Sequence, residues 1–328
     1  MKPFILQLRN LLVRRASVND IARGATLLLA TLLTPLTLVA EEKYDALYVM
    51  SSQAQAYMTF KETIENHQSP SISRRNTHFF VTIDELQTEK LRDLISNSQT
   101  VITLGQKSLR NVAALRIDTP HIATLITLEG YREVLSEQNV SQGEHCALVI
   151  DQPLHRIARV IRNKLPDVKV AGIIAPPRDP VRTNPGDLSP QEKSLKIVRL
   201  PLGKNIHSTI RALSQNGVDA IIALHNKKVY NQSTARNILI SSYHLNIPLI
   251  GYSSGFVKAG ALLGIYSTPE SMAIDMLEIS AQKDRCHSGN ILYPSTYTIE
   301  VNPQVAKSLG INIDTSELKQ TYQDRPRK

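Results

Sequence analysis

Val101-Ile-Thr-Leu-Gly-Gln-Lys-Ser-Leu-Arg-Asn-Val-Ala-Ala-Leu115 holds one complete unit of architecture. Three apolar residues and a threonine make a run with the length and composition of a buried strand. Gly105 breaks the run, and from Lys107 to Leu115 the apolar residues return at helical spacing. The same strand-then-helix rhythm extends in both directions. Before it come Tyr44–Met50 with Ala54–Asn66, and Phe79–Ile83 with Leu86–Ile95. After it come Ala147–Ile150 with Leu154–Lys164, Val170–Ile174, Leu195–Leu200 with Ile206–Gln215, Ala220–Leu224 with Thr234–His244, and Leu249–Tyr252. Such alternation predicts βαβ units and parallel sheets covered by helices on both faces. It occurs once before about residue 145 and again after it, with the polar stretch Ser136–Glu144 between. Two doubly wound α/β lobes in series are therefore expected.

The N-terminus is of another kind. Lys2, Arg9, Arg14, Arg15 and Arg23 precede an apolar segment from Ala25 to Ala40, the order of a secretory signal peptide. That segment has sixteen residues, four of them threonine, fewer than the roughly twenty that cross a bilayer. A cleaved leader over residues 1–40 and a periplasmic location are expected, with an uncleaved inner-membrane anchor as the alternative. Removing 40 of 328 residues leaves 288, a length at which chains divide into domains. The leader holds five of the 38 basic and one of the 29 acidic residues, so the remainder carries 33 − 28 = +5. Those charges are scattered and aromatics are few, which argues against a nucleic-acid partner. A monomer without cofactor is expected. Metal-ligand spacings such as C-x-x-C or H-E-x-x-H do not occur, so no metal is expected either. The two cysteines, Cys146 and Cys286, read either as a disulfide in an exported chain or as two separate buried thiols.

In open α/β sheets ligands bind beyond the carboxyl ends of the strands. Five segments follow predicted strands and so line the expected cleft: Ser51-Ser52, Gly105-Gln106-Lys107, Ala175-Pro176-Pro177, His225-Asn226 and Ser253-Ser254. Lys107 opens a helix, where backbone N–H groups and the helix dipole favour an anion, and it would suit a ligand carboxylate. The alternative is a solvated first-turn lysine. Tyr230 reads as a platform for a planar ligand or as packing. His121 reads as a satisfied or surface histidine. Gly251-Tyr-Ser-Ser-Gly255 matches the G-x-S-x-G nucleophile elbow, with Asp275 or Asp284 and His287 as nominal partners of Ser253. Two repeated lobes speak against that serine hydrolase, and no enzyme activity is expected. Phosphate-cradling glycine loops are absent. The stretch 176–194 holds five prolines and is expected to be a long loop at the cleft mouth.

From Asp219 onward the sequence resembles a known family. Asp219-Ala-Ile-Ile-Ala-Leu, Val229-Tyr-Asn231, Thr234-Ala-Arg-Asn-Ile-Leu, Ile247-Pro-Leu-Ile-Gly, Val257-Lys-Ala-Gly-Ala-Leu and Tyr266-Ser-Thr-Pro-Glu carry the likeness. Val101–Leu109, Asp151-Gln-Pro-Leu and Val301-Asn-Pro-Gln-Val-Ala-Lys-Ser-Leu-Gly extend it. Together they resemble ABC-transporter substrate-binding proteins of the tryptophan/tyrosine-type branch. The resemblance implies a type I periplasmic-binding fold, two lobes joined by a three-segment hinge and closing on a small-molecule ligand. It places residues 41–145 and about 265–288 in lobe one, and 146–264 and about 289–328 in lobe two. It also implies an ABC permease as partner. A ligand-sensing role without a permease is the alternative. Tyr230 and Asn231 enter the expected ligand set through the Val-Tyr-Asn motif. Where the family has Leu-Pro-Asp-Pro, this chain has Leu224-His-Asn-Lys-Lys228, so a neutral Asn226 replaces an aspartate and the ligand is not carried over. In the implied topology Cys146 and Cys286 lie at neighbouring crossovers, and a disulfide between them is expected.

Overall fold

The computed structural model describes residues 43–67, 77–139, 145–176, 195–281 and 290–324. The expected leader, residues 177–194 of the proline-rich stretch, Asp284, Cys286 and His287 lie outside the described residues. The first part of the chain runs β1 (Ala46–Met50), α1 (Gln55–Asn66), β2 (His78–Thr82), α2 (Thr88–Ser96), β3 (Val101–Leu104), α3 (Gln106–Ala114), β4 (His121–Ile126), α4 (Leu128–Glu137) and β5 (Cys146–Val149). It continues through α5 (Leu154–Lys164), β6 (Val170–Ala175), β7 (Lys196–Pro201), α6 (Ile206–Gln215), β8 (Ala220–Ile222), α7 (Ala235–His244), β9 (Leu249–Gly251), α8 (Ser254–Lys258) and β10 (Leu263–Tyr266). It closes with α9 (Pro269–Ala281), β11 (Ile291–Leu292), β12 (Thr296–Val301), α10 (Pro303–Ser308) and β13 (Lys319–Gln323).

These strands form two sheets, ordered β11-β5-β4-β3-β1-β2 and β13-β12-β10-β9-β8-β6-β7. The first is parallel throughout. The second is parallel from β7 to β10 and antiparallel at β12 and β13. Every residue of β1, β3 and β5 is buried, as helices on both faces require. β4 and α4 interrupt the sequence reading, which passed from Leu115 to Ala147 without them. His121 and Thr124 put polar side chains into a strand whose core position is set by the fold. His121 is satisfied rather than exposed: Thr103 Oγ1 lies 3.0 Å from its Nε2, and His145 Nδ1 lies 3.0 Å from its Nδ1. Burial and the neighbouring His145 hold its pKa down to about 3.

The chain passes between the sheets three times. The first passage, expected at 145/146, falls after residue 150, because β5 hydrogen-bonds β4 and belongs to the first sheet. The last passage, expected near 288, falls after β11, which pairs with β5. α9 returns to the first sheet, where Met272, Ala273, Met276 and Ile279 pack with Phe60 and Ile64 of α1. Tyr297, Ile299 and Val301 of β12 join the core of the second sheet with Ile157 and Ile161 of α5. Cys146 is disulfide-bonded.

The three passages are stitched to one another. Gln152 Nε2 donates to Ser267 Oγ at 3.0 Å, and Ser267 Oγ donates to the Thr296 carbonyl at 2.6 Å. Arg156 donates to Gln152 Oε1 at 2.6 Å and to Asp324 Oδ2 at 2.8 Å, and its guanidinium lies 4.6 Å from the centre of the Tyr297 ring. On the other side, Asp275 of α9 accepts from the Ser295 backbone N–H at 2.8 Å.

If α9 is part of the first core, truncating its buried face should unfold that core. Met276→Ala is expected to lower stability by roughly 2–5 kcal/mol. Ile274→Ala, on the exposed face of the same helix, should change it by about 0.5 kcal/mol or less. Urea denaturation of both variants checks the contrast.

Candidate functional site

The carboxyl ends of the two sheets face one another across a cavity of about 180 Å³. Gln106, Thr127, Glu129 and Gly130 line it from the first sheet. His225, Asn226, Lys227, Tyr230 and Tyr252 line it from the second. Each reaches the cavity by local structure. Gly105 turns at φ +91°, and a Cβ there would lie 2.1 Å from the Tyr57 hydroxyl oxygen and 2.8 Å from Ser51 Oγ. Only glycine lets β3 break so tightly before Gln106. A register shift between Thr124 and Ile126, with Leu125 at φ 48°, bends the end of β4 and aims Thr127 and Glu129 at the cavity. Thr127 then caps α4, its side chain accepting from the Gly130 N–H at 3.0 Å.

Two carboxylates span the cavity. Glu129 accepts from Asn226 Nδ2 and from the Lys227 backbone N–H, each at 3.2 Å. Glu133 accepts from Lys227 Nζ at 2.6 Å and from Gln106 Nε2 at 2.7 Å. These two hydrogen bonds hold the Glu133 carboxyl below its ordinary range. Below the cavity Asp151 Oδ2 accepts from the Leu128 N–H at 2.7 Å, and its Oδ1 lies 3.8 Å from His225 Nδ1. Burial raises Asp151 to about 6 and lowers His225 to about 4. The second sheet adds a ring cluster: His225 lies 3.9 Å from Tyr252 by ring centres, Tyr252 lies 4.6 Å from Phe256, and Tyr230 lies 6.1 Å from Tyr252. Tyr230 is 6% exposed, and its buried hydroxyl has no hydrogen-bond partner.

Three passages, two sheets in these orders and a cavity between their carboxyl ends can be set against solved structures. A ligand-free, open substrate-binding protein with adhesive properties from Clostridium difficile superposes with a TM-score of 0.55 at 12% identity, covering 83% of this chain and 97% of that one. The ABC domain from Streptococcus pneumonia in complex with L-Trp superposes with a TM-score of 0.50 at 15% identity, covering 84% and 97%. The chain has the type I periplasmic-binding fold. In sequence, no family model and no curated protein matches it.

Within this type I periplasmic-binding fold the expected ligand residues divide. Gln106, His225, Asn226 and Tyr230 reach the cavity. Gly105 shapes its wall without lining it. Ser51 is buried and its Oγ accepts from the Ser108 N–H at 2.9 Å, while Ser52 Oγ accepts from the Ala54 N–H at 3.3 Å. Lys107 turns outward onto Asp84 and does not line the cavity. Asn231 is exposed and closes its own turn, accepting from the Ser233 and Thr234 N–H groups. Ser253 Oγ caps α8, accepting from the Phe256 N–H at 3.3 Å, and Ser254 bonds Glu300 at 3.2 Å. Asp275, one of two nominal acids for the hydrolase reading of Ser253, accepts from the Ser295 N–H instead. Pro176 ends the described part of its loop, and Ala175 is buried in β6. Sequence reading missed Thr127, Glu129 and Gly130 because it missed β4. It missed Tyr252 because that residue sat inside a predicted strand. The signal for the first three was an apolar run followed by a capping threonine.

The Asp151–His225 pair sets opposing pH slopes. Asp151 titrates above its ordinary 3.8 in the folded chain, so the stability it contributes rises as pH falls from about 6. His225 titrates below its ordinary 6.5, so the stability it contributes falls as pH drops from 6.5 toward about 4. Asp151→Asn is therefore expected to lose stability more steeply than the parent across that window, and His225→Gln less steeply. Urea midpoints measured through the window should separate the three proteins, and superimposable curves would refute the assignment.

Proposed function

We propose that this chain is an exported solute-binding protein that closes two lobes on a small molecule and performs no chemistry on it. The observation that carries the reading is the cavity at the carboxyl ends of both sheets, lined by polar and aromatic side chains from each. Ligand sites in α/β folds occupy that position. The three-stranded hinge supports closure by rotation about a few residues. Glu129 and Glu133 supply the polar contacts of a closed state, because their partners Asn226 and Lys227 stand on the opposite lobe.

Delivery to an ABC permease is the proposed consequence of closure. The neighbours support it: the Streptococcus pneumonia protein is an ABC domain with L-Trp, and the Clostridium difficile protein is a substrate-binding protein. A basic, then apolar N-terminus supports export to the periplasm. Among the described residues no helix is long and apolar enough to cross a membrane.

A thermal-shift panel of amines, amino acids, organic acids, sugars and nucleosides tests the reading. A ligand at ~100 times its dissociation constant adds about 2.7 kcal/mol to the folded state. A shift that disappears in Tyr252→Ala places binding in the cavity, whereas no shift with any class removes the proposal. Ser253→Ala separates binding from hydrolysis. As a lost helix cap it should cost about 1 kcal/mol and leave the ligand shift in place. Covalent labelling by a serine-reactive phosphonate that is lost in Ser253→Ala would instead restore the enzyme.

A further inference from the structure

Two carboxylates on one face of α4 hold a single turn of the opposite lobe. Glu129 and Glu133 are four residues apart in that helix, so both stand on the same side of it. The turn at 226–228 meets them at two levels. Glu129 Oε2 accepts from the Lys227 backbone N–H at 3.2 Å, and Glu133 Oε2 accepts from the Lys227 ammonium at 2.6 Å. Gln106 of α3 donates to Glu133 at 2.7 Å from within the first lobe and steadies it. The next carboxylate along the same face, Glu137, has its partner Arg110 inside its own lobe at 2.9 Å.

Asn226 is suited to this contact by having both a donor and an acceptor. Its Oδ1 accepts from the Lys228 and Val229 N–H groups at 3.0 and 3.1 Å, which closes the turn and leaves Nδ2 facing away from it. That Nδ2 donates to Glu129 Oε1 at 3.2 Å. An aspartate could close the same turn, but it would set a second carboxylate against Glu129. Asn231 Nδ2 donates to the Lys227 carbonyl at 3.2 Å, so the shape of the turn is fixed by its own residues before the lobes meet.

Every partner in this set is an atom of the protein itself, and each contact across the cleft has a charged member, the stronger kind of hydrogen bond. Lys227 lines the cavity with its side chain 59% exposed, which places it at the rim. We infer that the turn 226–228 is a latch: Glu129 and Glu133 hold the two lobes together before any ligand is bound, and a ligand enters only after Lys227 has been released. Asn226 is its positioning residue, shaping the turn with one atom and reaching the other lobe with the next. This inference rests on the reading that the lobes open and close, and it adds a self-closed resting state to that reading.

Hydrogen exchange of the unliganded full chain, read by NMR at single amides, tests it. The Lys227 N–H has its acceptor across the cleft, whereas the Lys228 and Val229 N–H groups have theirs inside the turn, so opening and unfolding are reported separately. Lys227 should exchange at least tenfold more slowly than an unstructured amide. Asn226→Asp should return it to the unstructured rate and leave Lys228 and Val229 protected. Adding Glu129→Gln to that variant exchanges donor and acceptor across the cleft and should restore the protection, which a merely structural role for Asn226 does not foresee. An unprotected Lys227 amide in the parent overturns the latch, and so does protection that survives Asn226→Asp or that the double variant fails to restore. If Asn226→Asp also frees Lys228 and Val229, the turn itself has failed and Glu129→Ala decides: loss of Lys227 protection supports the latch, and its persistence overturns it. These readings involve no ligand, so a ligand panel without a hit removes the solute-binding reading separately.

Discussion

Buried polar groups are tolerated only when they satisfy one another, and the hinge of this protein is built on that constraint. Gln152, Ser267 and the Thr296 carbonyl come from three separate passages of the chain, and each is the partner of the next. Arg156 is nearly inaccessible, with a side chain 4% exposed. Its charge is compensated by Asp324, by Gln152 and by the face of Tyr297. Removing one member of such a network leaves the others desolvated and unpaired, which is why the passages behave as one element. The two sheets are joined through that element.

The same economy shapes the cavity. At the start of α4 protein acceptors occupy the backbone N–H groups, where a helix dipole would otherwise recruit an anion. Asp151 does this for α4 at the cost of a raised pKa, since burial penalises its charge. His225 beside it stays neutral for the same reason. A half-buried acid and a half-buried base thus lie 3.8 Å apart with opposite titration shifts, at the point where the first passage meets the second sheet. Tyr230 carries a buried hydroxyl with no hydrogen-bond partner among the described residues.

Much of this was legible in the sequence. Strand-helix alternation predicts parallel sheets, parallel sheets predict a site at the strand carboxyl ends, and Gln106, His225, Asn226 and Tyr230 stand there. β4 was not legible, because His121 and Thr124 disguise a buried strand whose polar atoms lie inside a core. The passage points were displaced by a few residues, since β5 looks like the first strand of a new repeat until its hydrogen bonds to β4 are seen.

Sequence alone determined the local elements, their alternation and therefore the end of each sheet at which a ligand would sit, because periodicity and chain stiffness act over a few residues. Tertiary structure alone decided which polar side chain faces the cavity. Ser253 and Asn231 bond backbone N–H groups within three residues of themselves, while Lys107 swings to Asp84, and none of them lines the cavity. Glu129 and Glu133 are claimed by residues 97 and 94 positions away. The physical reason is competition: a polar side chain takes the best donor or acceptor within reach, and what lies within reach across a cleft exists only after both sheets have formed.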